Sequence, residues 1–303
     1  MILSVVIITY NEEANIGRTL GSVQPLVADG KGEIVVVDSG STDRTVEIAK
    51  SFGARVFIEE WKGYAAQKNS AIEKATGGWI LSLDGDEEVD PVLAQEIGDL
   101  FPANPPTREE ILARAKIPGH AMTRQNVREL RKIAREYGIL TFFKNPPHGI
   151  MIAVNGYWMP RKNEFLGRWI KHGGYWPDRK MRLFRKGKAR FEDRAVHEDV
   201  HLTEGMALHL NGALLHHSYP TLADYIDHMN RYSSLGAEMA VAKGYSGFSV
   251  FDIVVRPTAT FIYNYFFRLG FLDGREGLLL HLYHGVYVSW KYAKAWELSQ
   301  REK

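Results

Sequence analysis

Residues 79–86 read Trp-Ile-Leu-Ser-Leu-Asp-Gly-Asp, an apolar run that stops at two carboxylates. A buried strand cannot hold neighbouring anions without partners, so carboxylates at its tip are expected to face a cation in an open cleft. Asp84 and Asp86 suit a divalent metal, since Mg²⁺ commonly takes one or two carboxylates plus the phosphates of a substrate. Gly85 is expected to let the backbone turn so that both carboxylates converge. The alternative for so short a motif is an acidic surface turn.

Two further apolar runs near the N-terminus end in polar residues. Residues 3–9 are followed by Tyr-Asn-Glu-Glu, and residues 34–37 are followed by Asp38 and a run of turn-forming residues. Helix-like stretches separate the runs, which predicts a parallel sheet covered on both faces. Because ligands of such sheets bind beyond the carboxyl ends of the strands, all three acidic turns are expected at one edge. Thr42 and Asp43 equally suit capping of the helix that follows.

Together these motifs resemble family 2 glycosyltransferases of the GT-A fold. The resemblance rests on residues 7–12, 37–43, 67–71 and 83–86, in this order and spacing. Further motifs lie at residues 165–169, 173–178, 182–185, 196–198, 215–219, 270–274 and 291–297. Through these motifs the chain resembles, within the family, enzymes similar to lipopolysaccharide-core β-1,4-glucosyltransferases. The resemblance covers nearly the whole chain except roughly residues 103–150. The resemblance implies an α/β fold, with a Rossmann-like, mixed and mostly parallel sheet, flanking helices and a C-terminal helical region.

The implied activity is metal-dependent, inverting transfer of a hexose from a nucleotide-diphosphate sugar, such as UDP-glucose, to a lipid-linked saccharide such as lipopolysaccharide core. The cofactor would be Mn²⁺ or Mg²⁺, held by Asp86 and Asp84. His216 is either a third ligand or a hydrogen-bonded core histidine. Trp176 and Asp178 would bind the acceptor. The residues expected to contact the nucleotide sugar are Thr9, Glu12, Asp38, Lys68, Asn69, Asp84, Gly85 and Arg182.

Proton removal and charge neutralisation call for further side chains. An inverting transferase must take a proton from the acceptor hydroxyl, usually with a carboxylate opposite the leaving group. Glu198 is the expected base and Asp199 the second candidate, and the alternative for either is a surface acid. Arg182 and Arg185 are expected to neutralise diphosphate oxygens, because guanidinium groups donate in pairs. Surface solvation is the alternative for Arg185.

Two functions from other classes stay open. Residues 197–201 read His-Glu-Asp-Val-His, the zinc-protease signature in which two histidines bind metal and the glutamate is the base. That chemistry needs a helix, whereas the alternation of apolar and polar residues here favours an extended segment. The other alternative is a non-catalytic module that binds nucleotide sugars or carbohydrates. The set Asp84, Asp86 and Glu198 argues against it, because pure binding needs neither metal nor base.

The composition of the chain limits the classes of partner and the cellular location that we expect. The chain has 303 residues, of which 45% are hydrophobic and 24% charged, as in an ordinary globular protein. A net charge of +2 calls for no nucleic-acid partner, and the absence of cysteine excludes a disulfide scaffold. No stretch reaches the roughly eighteen apolar residues that cross a bilayer, and the N-terminus begins in a strand without a leader pattern. We therefore expect a cytoplasmic protein, and the sequence leaves its oligomeric state open.

The predicted organisation has four parts: a nucleotide-sugar-binding half at 1–102, a helical insertion at 103–150, an acceptor and catalytic half at 151–220, and amphipathic helices at 221–303. Residues 248–272 mix aromatic side chains with Arg256 and Arg268, and the apolar, aromatic residues 278–290 are followed by Lys291 and Lys294. This pattern suits helices that lie at the cytoplasmic face of the inner membrane. A helical subdomain on the catalytic core is the equal alternative. Residues 221–243 predict a core-facing helix, capped by Thr221 and Asp224 and stopped by Gly244.

Overall fold

The computed structural model describes residues 3–101, 141–144, 150–192 and 200–301, with the backbone alone described for 141–144 and 150–153. The chain divides into two compact units. Unit 1 comprises residues 1–160, 179–193 and 199–214, and unit 2 comprises residues 161–178, 194–198 and 215–303. The four-part division stays a prediction, since most of the 103–150 insertion lies outside the described residues.

The four N-terminal strands of unit 1 are β1 (Leu3–Thr9), β2 (Gly32–Asp38), β3 (Arg55–Ile58) and β4 (Trp79–Asp84). They form a parallel sheet in the order β3-β2-β1-β4. Thr9 pairs with Asp38, and Ile8 pairs with Asp84, so the carboxyl ends of three strands lie side by side. The sequence prediction that the acidic turns meet at one edge of the sheet is therefore confirmed.

The sheet becomes mixed beyond β4, because β9 (Asp178–Arg185) runs antiparallel to it. This confirms the predicted α/β class with a mixed, mostly parallel sheet and flanking helices. The remaining strands are β5 (Glu87–Val89), β6 (Thr141–Lys144), β7 (Ile150–Phe165), β8 (Arg168–Ile170), β10 (Ala189–Phe191), β11 (Val200–Leu202), β12 (Met206–His209) and β13 (Leu214–Tyr219).

In the described residues of unit 1 the helices are α1 (Ile16–Val27), α2 (Thr45–Ser51), α3 (Tyr64–Lys74) and α4 (Pro91–Asp99). Alternation along β1 explains the two cores of this unit. Val5 and Ile7 point to the side of α1, where Leu20 joins the same buried cluster. Val6 and Ile8 point to the opposite side and share a second buried cluster with residues of α3. A strand with both faces covered needs an unbroken apolar sequence.

Unit 2 contains the C-terminal helices. Helix α5 (Leu222–Ala242) begins at the predicted capping box, in which Thr221 and Asp224 bond reciprocally. Helix α6 (Arg256–Ile262) lies between two π-helical turns (Phe251–Val255 and Tyr263–Phe267), and a 3₁₀ turn (Gly270–Asp273) leads into α7 (Gly274–Arg301). Phe165, Ile170, Tyr225 and Leu280 form its buried core. Among the described residues, no helix has the length and apolar character needed to cross a membrane.

Candidate functional site

Asp84, the last residue of β4, is held by two cations. Lys68 on α3 places its Nζ 2.9 Å from Oδ1, and a terminal nitrogen of Arg182 on β9 donates to Oδ2 at 2.6 Å. Both cations are almost fully buried. The structure thus brings together three predicted site residues that lie far apart in the sequence.

Glu87 is a member of this cluster that the sequence analysis did not single out. It is fully buried, accepts from the same terminal nitrogen of Arg182 at 2.7 Å, and accepts from the backbone N–H of Asp84 at 3.1 Å. The sequence could have indicated Glu87 because it lies in an acidic run directly after a buried strand. An anion buried at such a position needs a partner. Arg182 therefore orders the carboxylates, while its predicted contact with a diphosphate stays a prediction.

Gly85 is needed for space. A Cβ at this position would lie 2.8 Å from Cγ of Glu12 and 3.2 Å from Cγ2 of Thr9. Its carbonyl accepts from the hydroxyl of Thr19 at 2.8 Å. Gly85 does not have a positive φ. Its lack of a side chain therefore serves the close approach between β4 and the loop after β1, and not a special turn conformation.

Asp38 ties the end of β2 to β1. Its fully buried carboxylate accepts from the Thr9 hydroxyl at 2.8 Å, from the N–H groups of Gly40 and Ser41, and from the Ser41 hydroxyl. A carboxylate can accept about four hydrogen bonds, so these partners already use all of its acceptor sites. A contact with a nucleoside, which stays a prediction, would replace one of them.

Lys68 and Asn69 also connect α3 to β10. The Asn69 amide donates to the carbonyl of Phe191 at 3.0 Å and accepts from its N–H at 3.2 Å, while the Lys68 Nζ lies 5.3 Å from the centre of the Phe191 ring. Two residues after Phe191 begins the segment 193–199, which contains Glu198 and Asp199. Both candidate bases lie outside the described residues, and their role stays a prediction.

The donor set at this edge fits a cation that arrives with a phosphate ligand. Asp84 and Glu87 pair with Lys68 and Arg182, and the half-buried Asp86 adds a third carboxylate to this acidic turn. Within residues that the structure describes, no group of three or more His, Asp or Glu is arranged to hold a metal. One or two carboxylates are nevertheless the usual protein share for Mg²⁺ bound to substrate phosphates.

The remaining predicted residues belong to unit 2. Asp178 accepts from Nε and a terminal nitrogen of Arg161, at 2.9 and 2.7 Å. The His216 Nδ1 lies 2.7 Å from Oδ1 of Asn163, a geometry that matches the hydrogen-bonded alternative. The Nζ of Lys162 lies 5.9 Å from the centre of the Trp176 ring. The roles of Asp178, His216 and Trp176 in acceptor or metal binding stay predictions.

Two expectations meet contrary geometry. Arg185 pairs with Trp79, at the end of β4 opposite to Asp84, so it lies about 17 Å from that carboxylate by the rise of a strand. The expectation that Arg185 neutralises the diphosphate is therefore wrong. His201 lies in β11, a strand, whereas the zinc-protease motif needs both of its histidines on one helix.

An exposed aromatic pair near the same edge also escaped the sequence analysis. Trp61 and Tyr64 meet edge to face at 4.7 Å, and each keeps close to half of its surface exposed. Tyr64 precedes Lys68 by one helical turn, and the N–H of Glu59 bonds to the carbonyl of Asp38. The two aromatic side chains thus flank the start of α3, the helix that carries Lys68.

Comparisons with known proteins agree with this geometry. The family model described as Glycosyl transferase family 2 matches residues 4–107. An uncharacterized glycosyltransferase of Rickettsia typhi is 27% identical over 99% of this chain and 89% of its own length. The lipopolysaccharide core biosynthesis glycosyltransferase LpsC of Rhizobium meliloti is 26% identical over 97% of this chain and 92% of its own length.

A solved structure shares a shorter stretch. Glucosyl-3-phosphoglycerate synthase from Mycobacterium tuberculosis, in complex with Mn²⁺, uridine diphosphate and phosphoglyceric acid, is 32% identical. The match covers 29% of this chain and 34% of that chain, with a TM-score of 0.27.

Proposed function

The chain carries a glycosyl transferase family 2 domain over residues 4–107 and is similar along nearly its full length to a lipopolysaccharide core glycosyltransferase, and on this premise we propose that it is an inverting hexosyltransferase. The donor is a nucleotide-diphosphate sugar of the UDP-glucose kind. The acceptor is a lipid-linked saccharide such as lipopolysaccharide core.

One observation carries this proposal: the cluster of Asp84, Glu87, Lys68 and Arg182 at the carboxyl edge of the parallel sheet. Ligands of open α/β sheets bind at this edge. Two buried cations hold the carboxylates in fixed positions beside Asp86. Such a fixed arrangement is useful for a charged ligand, because no reorganisation is needed when it binds.

The proposed reaction replaces one bond at the anomeric carbon by another. The acceptor oxygen attacks this carbon while the bond to the diphosphate oxygen breaks, and the hydroxyl proton passes to Glu198 or Asp199. The nucleoside diphosphate leaves with the electron pair. A Mn²⁺ or Mg²⁺ ion bound through Asp86, supported by Asp84, would stabilise the charge on the leaving diphosphate.

The proposed site of action is a membrane surface, at the cytoplasmic face of the inner membrane. Support comes from unit 2, where large apolar side chains are exposed along residues 248–272. Phe267 has 76% of its surface exposed, and Val254 has 55%. Exposed apolar side chains commonly mark a protein or membrane contact when many of them occur together. Arg256, which lies on the same segment, pairs with Asp252, so apolar contact contributes more than charge there.

A thermal-shift panel of nucleotides and nucleotide sugars, each with and without Mn²⁺, tests the proposal. A ligand at one hundred times its Kd stabilises the folded chain by about 2.7 kcal/mol. We expect a UDP-sugar to give the largest Mn²⁺-dependent shift. Asp86→Asn should abolish both this shift and transfer, because it removes an anionic ligand.

The matched control is Asp29→Asn, which makes the same chemical change on an exposed turn with φ of 56°. This variant should keep the wild-type shift. Retained transfer in the presence of EDTA would overturn the metal dependence. A nucleotide shift without transfer to any saccharide would favour the binding module instead.

A further inference from the structure

Strand β7 presents two chemically different faces in unit 2. Side chains alternate along a strand, so Asn163 and Phe165 share one face, whereas Lys162 and Glu164 share the other. Phe165 packs against Tyr225 of α5, with 5.2 Å between ring centres, and belongs to the buried core. The helices of unit 2 therefore cover the face of Phe165. Lys162 and Glu164 lie on the opposite face of the strand.

A row of side chains crosses this second face. Glu164 pairs directly with Trp169 on β8, and its Oε2 lies 2.5 Å from Nδ1 of His217 on β13. The His217 ring meets the Trp169 ring edge to face at 5.2 Å. Glu164 and His217 keep 21% and 15% of their side-chain surfaces exposed, so a ligand can reach both.

A second aromatic ring lies beside this row. Lys162 is two residues from Glu164 on the same face, about 7 Å along the strand, and its Nζ lies over the ring of Trp176. Two half-buried tryptophans thus accompany a carboxylate, an imidazole and an ammonium group. We name this set (Lys162, Glu164, Trp169, Trp176 and His217) the tryptophan face.

The loop that carries Trp176 is fixed by the C-terminal helices. Asp273, only 2% exposed, accepts from the N–H groups of Lys171 and His172 at 3.2 and 2.8 Å. Gly173 donates to the carbonyl of Arg268, and a Cβ on Gly173 would lie 1.9 Å from the His281 ring. A side chain larger than hydrogen therefore does not fit, and the loop is held before any ligand arrives.

We propose that the tryptophan face binds the acceptor saccharide, with the two indole rings stacking on sugar rings and Glu164 and His217 bonding to hydroxyl groups. This inference rests on the proposed function and specifies its acceptor site. The face of an aromatic ring is electron-rich and attracts the C–H groups of a pyranose. A carboxylate accepts hydrogen bonds from hydroxyl groups, and an imidazole can donate or accept them. Asp178, which is paired with Arg161 and Asn163 on the other face, lies outside this site.

Isothermal titration of the full chain with lipid-free core oligosaccharide, released from bacterial lipooligosaccharide by mild acid, tests the assignment. Trp169→Ala and Trp176→Ala should each raise the Kd about tenfold or more. Glu164→Gln should raise it less, because an amide keeps one acceptor. Trp169→Phe should retain most of the affinity. The matched control, Trp296→Ala, removes a partly exposed tryptophan of α7 and should leave the Kd unchanged.

The nucleotide shift of the same variants separates this assignment from the donor site. If wild-type protein shows no shift with any nucleotide, the proposed function fails, whatever the oligosaccharide does. If nucleotide binds but oligosaccharide does not, or binds the alanine variants as tightly as wild type, the tryptophan face is not the acceptor site. The assignment is equally overturned if Trp169→Ala weakens binding to lipid vesicles and leaves the oligosaccharide Kd unchanged.

Discussion

Arg182 donates from one terminal nitrogen to two carboxylates, and Glu87, the more buried of them, has no exposed surface. Water cannot replace a partner at such a position. The sequence-based expectation of a diphosphate contact treated Arg182 as a ligand alone. In the structure it also supports the fold of the site, because it neutralises the end of β4.

At the residue scale, Arg182→Met should therefore lower the free energy of unfolding by about 3 to 5 kcal/mol, since it leaves a buried carboxylate without its cation. Urea unfolding measures this loss. Glu87→Met in the Arg182→Met background should recover part of it, because that buried charge is then absent. Arg18→Met, on an exposed arginine of α1, should cost less than about 0.5 kcal/mol. Equal losses for Arg182 and Arg18 would contradict the structural role.

A second prediction at this scale separates binding from chemistry. Glu198→Gln should keep the affinity for nucleotide sugar and lower turnover by roughly a hundredfold or more, as expected for the loss of a general base. Single-turnover transfer, together with the nucleotide shift, measures both quantities. If Asp199→Asn gives this result and Glu198→Gln does not, the base is Asp199. If neither variant loses turnover, the base lies elsewhere.

At the scale of elements, α7 is a helix whose buried side carries a histidine. His281 is fully buried between Gly173 and Gly270, next to the rings of Tyr175 and Tyr265. Burial, helped by nearby His284 and opposed by Asp273, lowers the pKa of His281 to about 4. The folded chain therefore keeps this imidazole neutral at a pH where the unfolded chain protonates it.

The sign of the pH dependence follows from that difference. Below the ordinary histidine pKa of about 6.5, the unfolded state binds more protons, so stability falls as the pH drops toward 4. His281→Phe should remove on the order of 2 kcal/mol of this acid sensitivity. Melting temperature followed from pH 7 to pH 4.5 tests it, with His201→Phe, on a half-exposed histidine of β11, as the control. An unchanged slope in His281→Phe would refute the assignment.

At the scale of the whole molecule, the structure changes which side chains are suitable probes of membrane contact. Lys294, whose basic character suggested a headgroup contact, has its Nζ within 2.9 Å of the backbone and side-chain carbonyl oxygens of Asn230 and of the hydroxyls of Ser233 and Ser234. Its removal would disturb the contact between α7 and α5. Exposed apolar residues of 248–272 give a cleaner test.

The combined variant Val254→Asn, Phe267→Ser should float less with anionic liposomes than wild type, while its Mn²⁺-dependent nucleotide shift stays intact. Attraction to anionic headgroups is worth about 1 kcal/mol per basic residue near the surface, so high salt should release part of the bound protein. Ile58→Asn, on an apolar residue of unit 1 that is 67% exposed, is the matched control. Absence of flotation at any salt concentration would leave these helices as a packing subdomain.

The sequence by itself determined the sheet and the edge where the site lies, because unbroken apolar strands must be covered on both faces and their polar ends must then gather at one side. Local signals also sufficed for the Thr221 capping box, which involves residues three apart. Tertiary structure alone decided the partners of Arg182, the place of Arg185 and the tryptophan face. Those depend on strand register and on which face a side chain occupies, and both are set by contacts between residues distant in the chain.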